Sequence, residues 1–393
     1  MSQRLISRSP DLRRLRDDGY AIEVRAGFLL VHDVPYLSVG RVIQRGVLVS
    51  ALDLADDATV RPSTHVVYFA GAHPCNLDGS PITQIEHGSG ESTLAPGIVV
   101  HRSFSNKPGA GYQDYYEKMT RYAAIISHPA QAIDPAATPR TFRVVEADDA
   151  ESPFEYVDTA TSRAGIGAFA ESLHGQRIAV VGLGGTGSYV LDLVAKTPVE
   201  EIHLYDRDSF SQHNAFRSPG AASVEDLRRQ LDKATYFQQQ YARMKRGVIA
   251  HSYYLDATNV DELREMDFVF LCVDNGDVRR QLVESLEAFG VPFADVGMGV
   301  YASERGLGGV LRVTSSTQRR RAHVLDGRRI PFAGDDGNNE YVRNIQIADL
   351  NALNAALAVL KWKKHLGFYL DFEKEHHTTY TIDGNTLTNE ECA

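Results

Sequence analysis

Cysteine is scarce in this chain. Three residues, Cys75, Cys272 and Cys392, are spread over 393 positions, which excludes a disulfide framework, and no C-x-x-C pair exists to hold a structural zinc. No apolar run approaches the about 18 residues that a membrane span requires. The opening MSQRLISRSPDLRRLRDDGY is charged and polar, so it is not expected to act as a secretion signal. Positive charge is also in deficit. Lys and Arg number 41 against 51 Asp and Glu, a net charge of −10, whereas a general nucleic-acid binder needs a basic surface to neutralise phosphate. These absences point to a soluble protein of a reducing, cytoplasmic compartment with neither membrane nor nucleic acid as its partner. Apolar residues at 43% suffice for the cores of two domains.

The most informative stretch is Gln176–Asp208, QRIAVVGLGGTGSYVLDLVAKTPVEEIHLYDRD. A β-branched run, Ile178 to Val181, leads into Gly182-Leu-Gly184-Gly185-Thr-Gly187. A segment of helical period follows, then a second apolar strand ending at Asp206. That order is what a dinucleotide-type fingerprint needs: glycines for a tight turn and close backbone approach, phosphates on a helix N-terminus, and an acid about 20 residues on for the ribose. The residues beyond Asp206 decide the nucleotide chemistry. Asp206-Arg207-Asp208-Ser-Phe-Ser-Gln-His-Asn214-Ala-Phe-Arg217 adds an amide and a guanidinium just past the ribose strand, and Lys233 lies one helix further on. Asp267–Asn275 then reads as another buried strand that ends in the carboxylate of Asp274. Arg217 and Lys233 suit a triphosphate, and Asp274 suits the Mg²⁺ that bridges it. A NAD-dependent oxidoreductase would use the glycines and Asp206 but leaves Asn214, Arg217, Lys233 and Asp274 without a role.

On these residues the chain resembles the ThiF-type adenylyltransferases, the superfamily that includes ubiquitin-activating enzymes and the activators of sulfur-carrier proteins. The family pattern G-x-G-G-x-G-S, D-x-D, S-N-x-x-R, a downstream Lys and D-N-x-x-x-R is met by Gly182, Gly184, Gly185, Gly187, Ser188, Asp206, Asp208, Asn214, Arg217, Lys233, Asp274, Asn275 and Arg279. His213 stands where the family usually has Ser. The resemblance implies a Rossmann-like, doubly wound α/β sheet over residues 160–393. By the same resemblance Asp206 holds the ATP ribose, Asn214, Arg217 and Lys233 hold the phosphates, and Asp274 holds Mg²⁺. It further implies attack of the C-terminal carboxylate of a ubiquitin-like carrier on the α-phosphate, and a homodimer in which an arginine, here Arg163, reaches the opposite site. Other readings stay open: activation of a peptide or small carboxylate, and a catalytically silent binding module.

Departures from the family are equally informative. No cysteine lies in the crossover loop after the Asp274 strand, where relatives carry a catalytic one, so a thioester in this domain is not expected. Cys272 reads as a buried residue of the strand Phe268–Val273. Cys75 sits in a turn beside His73, a neighbour able to lower a thiol pKa. Thr314-Ser-Ser-Thr317 reads as a solvated loop, with an ester acceptor as the alternative. Asn344–Gly367 reads as a helix with Ile347, Leu350, Leu353, Leu357 and Leu360 on its buried face. Gln318–Arg343 reads as a crossover loop over a carrier tail.

The chain before the glycine domain reads as a strand-rich α+β domain over residues 1–150, with the boundary near 135–165. Strands are expected at Ala21–Val31, Val47–Leu54, His65–Gly71 and Gly97–Phe104. Tyr112–Ser127 is expected to be a helix with a core-facing stripe of Tyr115, Met119, Tyr122 and Ile126. A carrier-recognition module is one use for this domain. His73-Pro74-Cys75 also gives it a three-residue likeness to conjugating enzymes.

Overall fold

The computed structural model describes residues 2–55, 58–145, 152–164, 166–325, 329–332 and 345–392. The chain forms two compact units, Met1–Glu171 and Ser172–Ala393.

The first unit opens with helices α1 (Ser2–Arg8) and α2 (Pro10–Asp17). Strands β1 (Ile22–Arg25), β2 (Phe28–Leu37) and β3 (Ile43–Ala51) follow, then a short pair, β4 (Leu54–Ala55) and β5 (Ala58–Thr59). Strands β6 (Val66–Ala70), β7 (Glu86–Ala95) and β8 (Ile98–Ser105) complete an antiparallel sheet in the order β1-β2-β3-β6-β8-β7. The single strand expected at Ala21–Val31 is two, because Ala26 and Gly27 take φ of 48° and 78°. Positive φ at both positions of a two-residue loop is the type I′ hairpin turn, whose twist matches the flanking strands. Strand β7, EHGSGESTLA, escapes sequence reading because its middle is polar and exposed. Helix α3 (Tyr115–Ile133) buries Tyr115, Met119, Tyr122 and Ile126 in the core, as the stripe requires. Leu5, Ile6, Leu12 and Leu15 join the same core, so the polar N-terminus forms two amphipathic helices. Short helices α4 (Thr159–Ala164) and α5 (Gly167–Ala170) close the unit.

The second unit is built on an eight-stranded sheet. Its strands are β9 (Arg177–Val181), β10 (Glu201–Tyr205), β11 (Val248–His251), β12 (Phe268–Leu271), β13 (Phe293–Ser303), β14 (Gly306–Ser316), β15 (Glu375–Thr381) and β16 (Thr386–Cys392), in the order β11-β10-β9-β12-β13-β14-β15-β16. The first five are parallel and the last three join antiparallel. Helices α6 (Gly185–Ala195), α7 (Gln212–Ala215), α8 (Val224–Arg228), α9 (Lys233–Tyr241), α10 (Gly276–Phe289) and α11 (Ala348–His365) fill the connections. Along β9 the side chains alternate between two cores. Ile178 and Val180 pack with residues of α6, α9 and α11, whereas Ala179 and Val181 pack with α10. Both faces of the parallel sheet are thus covered, which is why these strands read as unbroken apolar runs. From β9 the chain winds one way to β10 and β11, then returns to β12 and β13 on the other side. The resulting switch point lies between β9 and β12, where doubly wound sheets bind ligands.

Three expectations are corrected. Thr314, Ser315 and Ser316 are buried residues of β14 rather than a solvated loop, and Thr317 just after them is buried too. Their hydroxyls find partners inside, Thr314 against His377 and Thr317 against His376, both at 2.9 Å. Helix α11 buries Asn351, Asn354, Ala355, Ala358, Val359 and Trp362, and leaves Leu353 and Leu360 exposed. Small side chains let this helix approach α6 and the sheet more closely than leucines would allow. Finally, β12 stops at Leu271, so Cys272 is not a strand residue.

Candidate adenylation site

At the switch point the chain leaves β9 through Gly182, whose φ is 88°. A Cβ there would stand 2.7 Å from the Cys272 carbonyl oxygen, so the turn requires glycine twice over, for conformation and for space. Gly184 is the N-cap of α6. A Cβ on Gly185 would meet Asn351 Nδ2 at 2.0 Å, and one on Gly187 the Gly182 carbonyl oxygen at 1.9 Å. Two glycines therefore serve packing, while Gly184, with nothing nearer than Gln346 at 4.0 Å, leaves the helix N-terminus open to a phosphate. Ser188 is buried and turns its hydroxyl back to the Gly185 carbonyl, at 2.8 Å.

Asp206 follows β10 directly and is 6% exposed. Its two oxygens accept from the Leu183 N–H at 2.7 Å and the Asp208 N–H at 2.8 Å, which ties the acid to the glycine turn. Burial pushes the Asp206 carboxyl up, while Lys233 pulls the other way. Lys233 Nζ lies 2.7 Å from Asp208 and 3.5 Å from Asp206. The Lys233 ammonium and the Tyr254 hydroxyl, both bonded to Asp208, hold that carboxyl below its usual range. Asn214 Oδ1 accepts from the Ser211 N–H and hydroxyl, both at 2.9 Å, framing α7, from whose end Arg217 emerges. The buried Asn214 Nδ2 and Arg217 Nε have no hydrogen-bond partner among the described residues.

Gly182, Gly184, Gly185, Asp206, Asp208, Arg217, Lys233 and Asp274 line one cavity of about 1250 Å³. Gly187 and Asn214 lie behind its wall rather than on it. Asp274 sits three residues past the end of β12, exposed, next to Asn275, which caps α10 by accepting from the Asp277 and Val278 N–H groups. Arg163 falls on α4, and its side chain lies outside the described residues. Most of the crossover expected at 318–343 also lies outside them.

Among the cavity residues that sequence reasoning missed are Asn351 and Arg312. Asn351, wholly buried on α11, accepts from the Thr186 hydroxyl at 3.0 Å and donates to the Arg217 carbonyl at 3.5 Å. It joins the glycine turn to the Arg217 segment. Arg312, on β14, donates to Asp295 at 2.5 Å and to the Thr314 hydroxyl at 2.8 Å. The one signal available was polarity at positions where helix and strand periods demand apolar side chains.

The cysteines are placed as follows. Cys272 contributes to the cavity wall, and burial pushes its thiol well up. Cys75 is wholly buried, pushed up by burial, and donates to the His73 carbonyl at 3.3 Å. The His73 ring is turned to Glu86, at 3.9 Å, and does not activate the thiol. Cys392 is exposed on β16. Among the described residues no helix is long and apolar enough to cross a membrane, and no cluster of three metal-ligating side chains occurs.

Residues 160–390 match the ThiF family, and residues 10–159 match a family described as a domain of unknown function, DUF6791. No curated protein matches the chain. Solved structures similar to it include E. coli MccB, at 16% identity and a TM-score of 0.44 over 59% of this chain and 68% of that one. The same enzyme with ATP gives 17% and 0.41 over 60% and 70%. PaaA gives 13% and 0.44 over 57% and 75%. With its fingerprint, its switch-point cavity and a family match over more than half its length, the chain belongs to the ThiF family and is an ATP-dependent adenylyltransferase.

Proposed function

We propose that this adenylyltransferase activates the C-terminal carboxylate of a small ubiquitin-like protein, using ATP and Mg²⁺ and no thioester within the second unit. One observation carries the reading. The cavity that holds the glycine turn, Asp206, Arg217 and Lys233 continues without a break along β13 and β14, past Gly297, Gly299, Val300, Val310 and Arg312 to Thr379 on β15. Its volume exceeds the roughly 300–1,000 Å³ of ordinary small-molecule pockets, which suits a nucleotide together with an extended polypeptide tail.

The chemistry follows from the residues. A carboxylate is already nucleophilic at neutral pH, so the enzyme has to align it with the α-phosphate and neutralise charge on the departing pyrophosphate. The α6 N-terminus and Gly184 receive phosphate oxygens, Arg217 and Lys233 supply positive charge, and Asp206 accepts from the ribose hydroxyls. The carboxylate oxygen forms a bond to the α-phosphorus, the bond to the bridging oxygen breaks, and pyrophosphate leaves with its electron pair. Asp274, a single exposed carboxylate beside the phosphate end, fits Mg²⁺, which takes one or two carboxylates and completes its shell with phosphates and water. Asp274 would hold that ion where it would shield the phosphate charge. Arg163 from a second copy is the proposed additional cation, which makes the active form a homodimer. Three free cysteines agree with a reducing, cytoplasmic setting.

The test is ATP–pyrophosphate exchange with candidate carriers, run beside thermal shifts with ATP·Mg²⁺ and with NAD. Exchange that depends on a carrier with a free C-terminus, abolished in Asp274→Ala at unchanged melting temperature, is the expected result. A larger thermal shift with NAD than with ATP, or full exchange in Asp274→Ala, would overturn the proposal.

A further inference from the structure

Asp274 lies on the link between β12 and α10, residues 272–275, and backbone groups hold that link at both ends. The Cys272 N–H donates to the Val181 carbonyl at 2.8 Å, and Asn275 caps α10. Between these anchors a side chain takes over. Arg279, in the first turn of α10, folds back across the link, and its Nη2 donates to the carbonyl of Val273, the residue directly before Asp274. Nη1 of the same guanidinium donates to the Pro331 carbonyl at 3.4 Å, and Nε lies 3.2 Å from Asp295 Oδ1. Val273, Asp274, Arg279 and Pro331 all line the cavity.

Asp295 is what aims the guanidinium. It is wholly buried on β13, in register with Leu271, the last residue of β12. Its second oxygen accepts from Arg312 Nη2 at 2.5 Å, and Arg312 passes over Gly297, where a Cβ would stand 2.6 Å from Nη2. Two guanidiniums, each on a side chain only 12% exposed, thus clamp one desolvated carboxylate. Such buried ion pairs contribute little net stability, because desolvation offsets most of their attraction. Direction is what this one supplies. The guanidinium is planar and rigid, so with Nε tied to Asp295 the two Nη atoms are aimed at fixed points of the wall.

We propose that Arg279, aimed by Asp295, is a positioning residue for Asp274: it sets the backbone turn from which the Asp274 carboxylate meets Mg²⁺. The inference rests on the adenylation reading and on Asp274 as its metal residue. Arg279 is not itself a phosphate ligand in this arrangement. Its three nitrogens already face Asp295 and two carbonyls, which leaves no free fork to present to a phosphate. A metal carboxylate, by contrast, is sensitive to the turn that bears it, since Mg²⁺ demands near-ideal octahedral geometry and takes only one or two carboxylates. Pro331 adds a second effect: the same side chain that fixes the Asp274 turn also grips the segment facing it.

Calorimetry with a non-hydrolysable ATP analogue, in Mg²⁺ and again in EDTA, reads what the metal adds to nucleotide binding by the full-length protein. Mg²⁺ should tighten binding by the wild type about tenfold or more, and Arg279→Gln should lose most of that gain, the scale on which groups behind a metal ligand act. Asp274→Ala should lose it too. Affinity in EDTA should be the same in every protein. Arg279→Lys keeps a cation against buried Asp295, which protects the fold, but has no fork to reach both carbonyls, so its Mg²⁺ gain should also be lost. A gain retained in Arg279→Lys would overturn the inference, because charge alone would then suffice, and so would a gain retained in Arg279→Gln. Weaker binding in EDTA by both Arg279 variants would overturn it by assigning the guanidinium to a phosphate. Failure of both variants to fold would reduce Arg279 to a structural residue, and a wild type that binds the analogue with no gain from Mg²⁺ would leave it nothing to position; either result sinks the proposal. A wild type that does not bind the analogue at all would instead refute the adenylation reading.

Discussion

The glycines of the fingerprint divide into two kinds, and the division yields a contrast between single substitutions. Gly187→Ala puts a methyl group 1.9 Å from a backbone oxygen, which no side-chain movement relieves, whereas Gly184→Ala meets nothing closer than 4.0 Å. Overpacking of this sort costs about 1–3 kcal/mol. Gly187→Ala should therefore melt several degrees lower than wild type. Gly184→Ala should melt normally yet bind ATP more weakly, because its methyl group lies on the phosphate path. Matching melting curves for the two variants would contradict this assignment of roles. The same residues show what one sequence reveals. Gly182 to Gly187, Asp206 and Lys233 were legible because short-range spacing defines them. Asn351 was not, since its partner Thr186 is 165 residues away and an asparagine on a helix signals nothing until the fold brings the two together. Arg312 was hidden likewise, its meaning residing in Asp295 on the adjacent strand.

Among the elements, the C-terminal strands depart most from their sequence reading, and they carry a pH dependence. His323 and His377 are almost fully buried, and burial brings the pKa of each down to about 4. Unfolded, each histidine takes up its proton near 6.5. Between about 4 and 6.5 the unfolded chain thus holds more protons, and stability must fall as pH drops through that window, by up to about 1.4 kcal/mol per pH unit for each histidine. Urea midpoints at pH 6.5 and 4.5 should differ clearly in the wild type and less in the double variant His323→Gln/His377→Gln. An unchanged difference would mean that these rings do not titrate as their burial implies. The hydroxyls of Thr314 and Thr317, which look solvent-directed in sequence, are buried because His377 and its neighbour His376 give them partners. Helix α11 misled for a related reason. Its leucines advertise a face, but close approach to α6 selects alanine and asparagine instead.

For the molecule as a whole, the doubly wound sheet was legible through the family resemblance, while apolar runs punctuated by glycine marked β9, β10 and β12 directly. The first unit was legible mainly as strands and one helix; β7 was lost because a sheet edge tolerates polar residues. A two-fold assembly in which Arg163 serves the opposite site makes a prediction about mixtures. Arg163→Ala and Asp274→Ala proteins, each inactive alone, should regain up to about a quarter of wild-type exchange after mixing, since a random half of dimers are mixed and each holds one intact site. Two inactive proteins that stay inactive after subunit exchange, or a monomer by light scattering at assay concentration, would exclude the trans arrangement.

Lys233 has a further consequence. Its ammonium is matched by two carboxylates of the same site, at 2.7 and 3.5 Å, so the cation meant for phosphate comes with its own counter-ions. A stray inorganic anion of single charge gains little by competing for a lysine already neutralised within the protein. A nucleotide seated as proposed gains more, because its ribose hydroxyls would engage Asp206 as its phosphates draw Lys233 away, and both halves of the exchange would be satisfied together. On the proposed assignment, selectivity for a nucleoside triphosphate over free phosphate is in this way written into the counter-ions of one lysine, before any contact with the base is made.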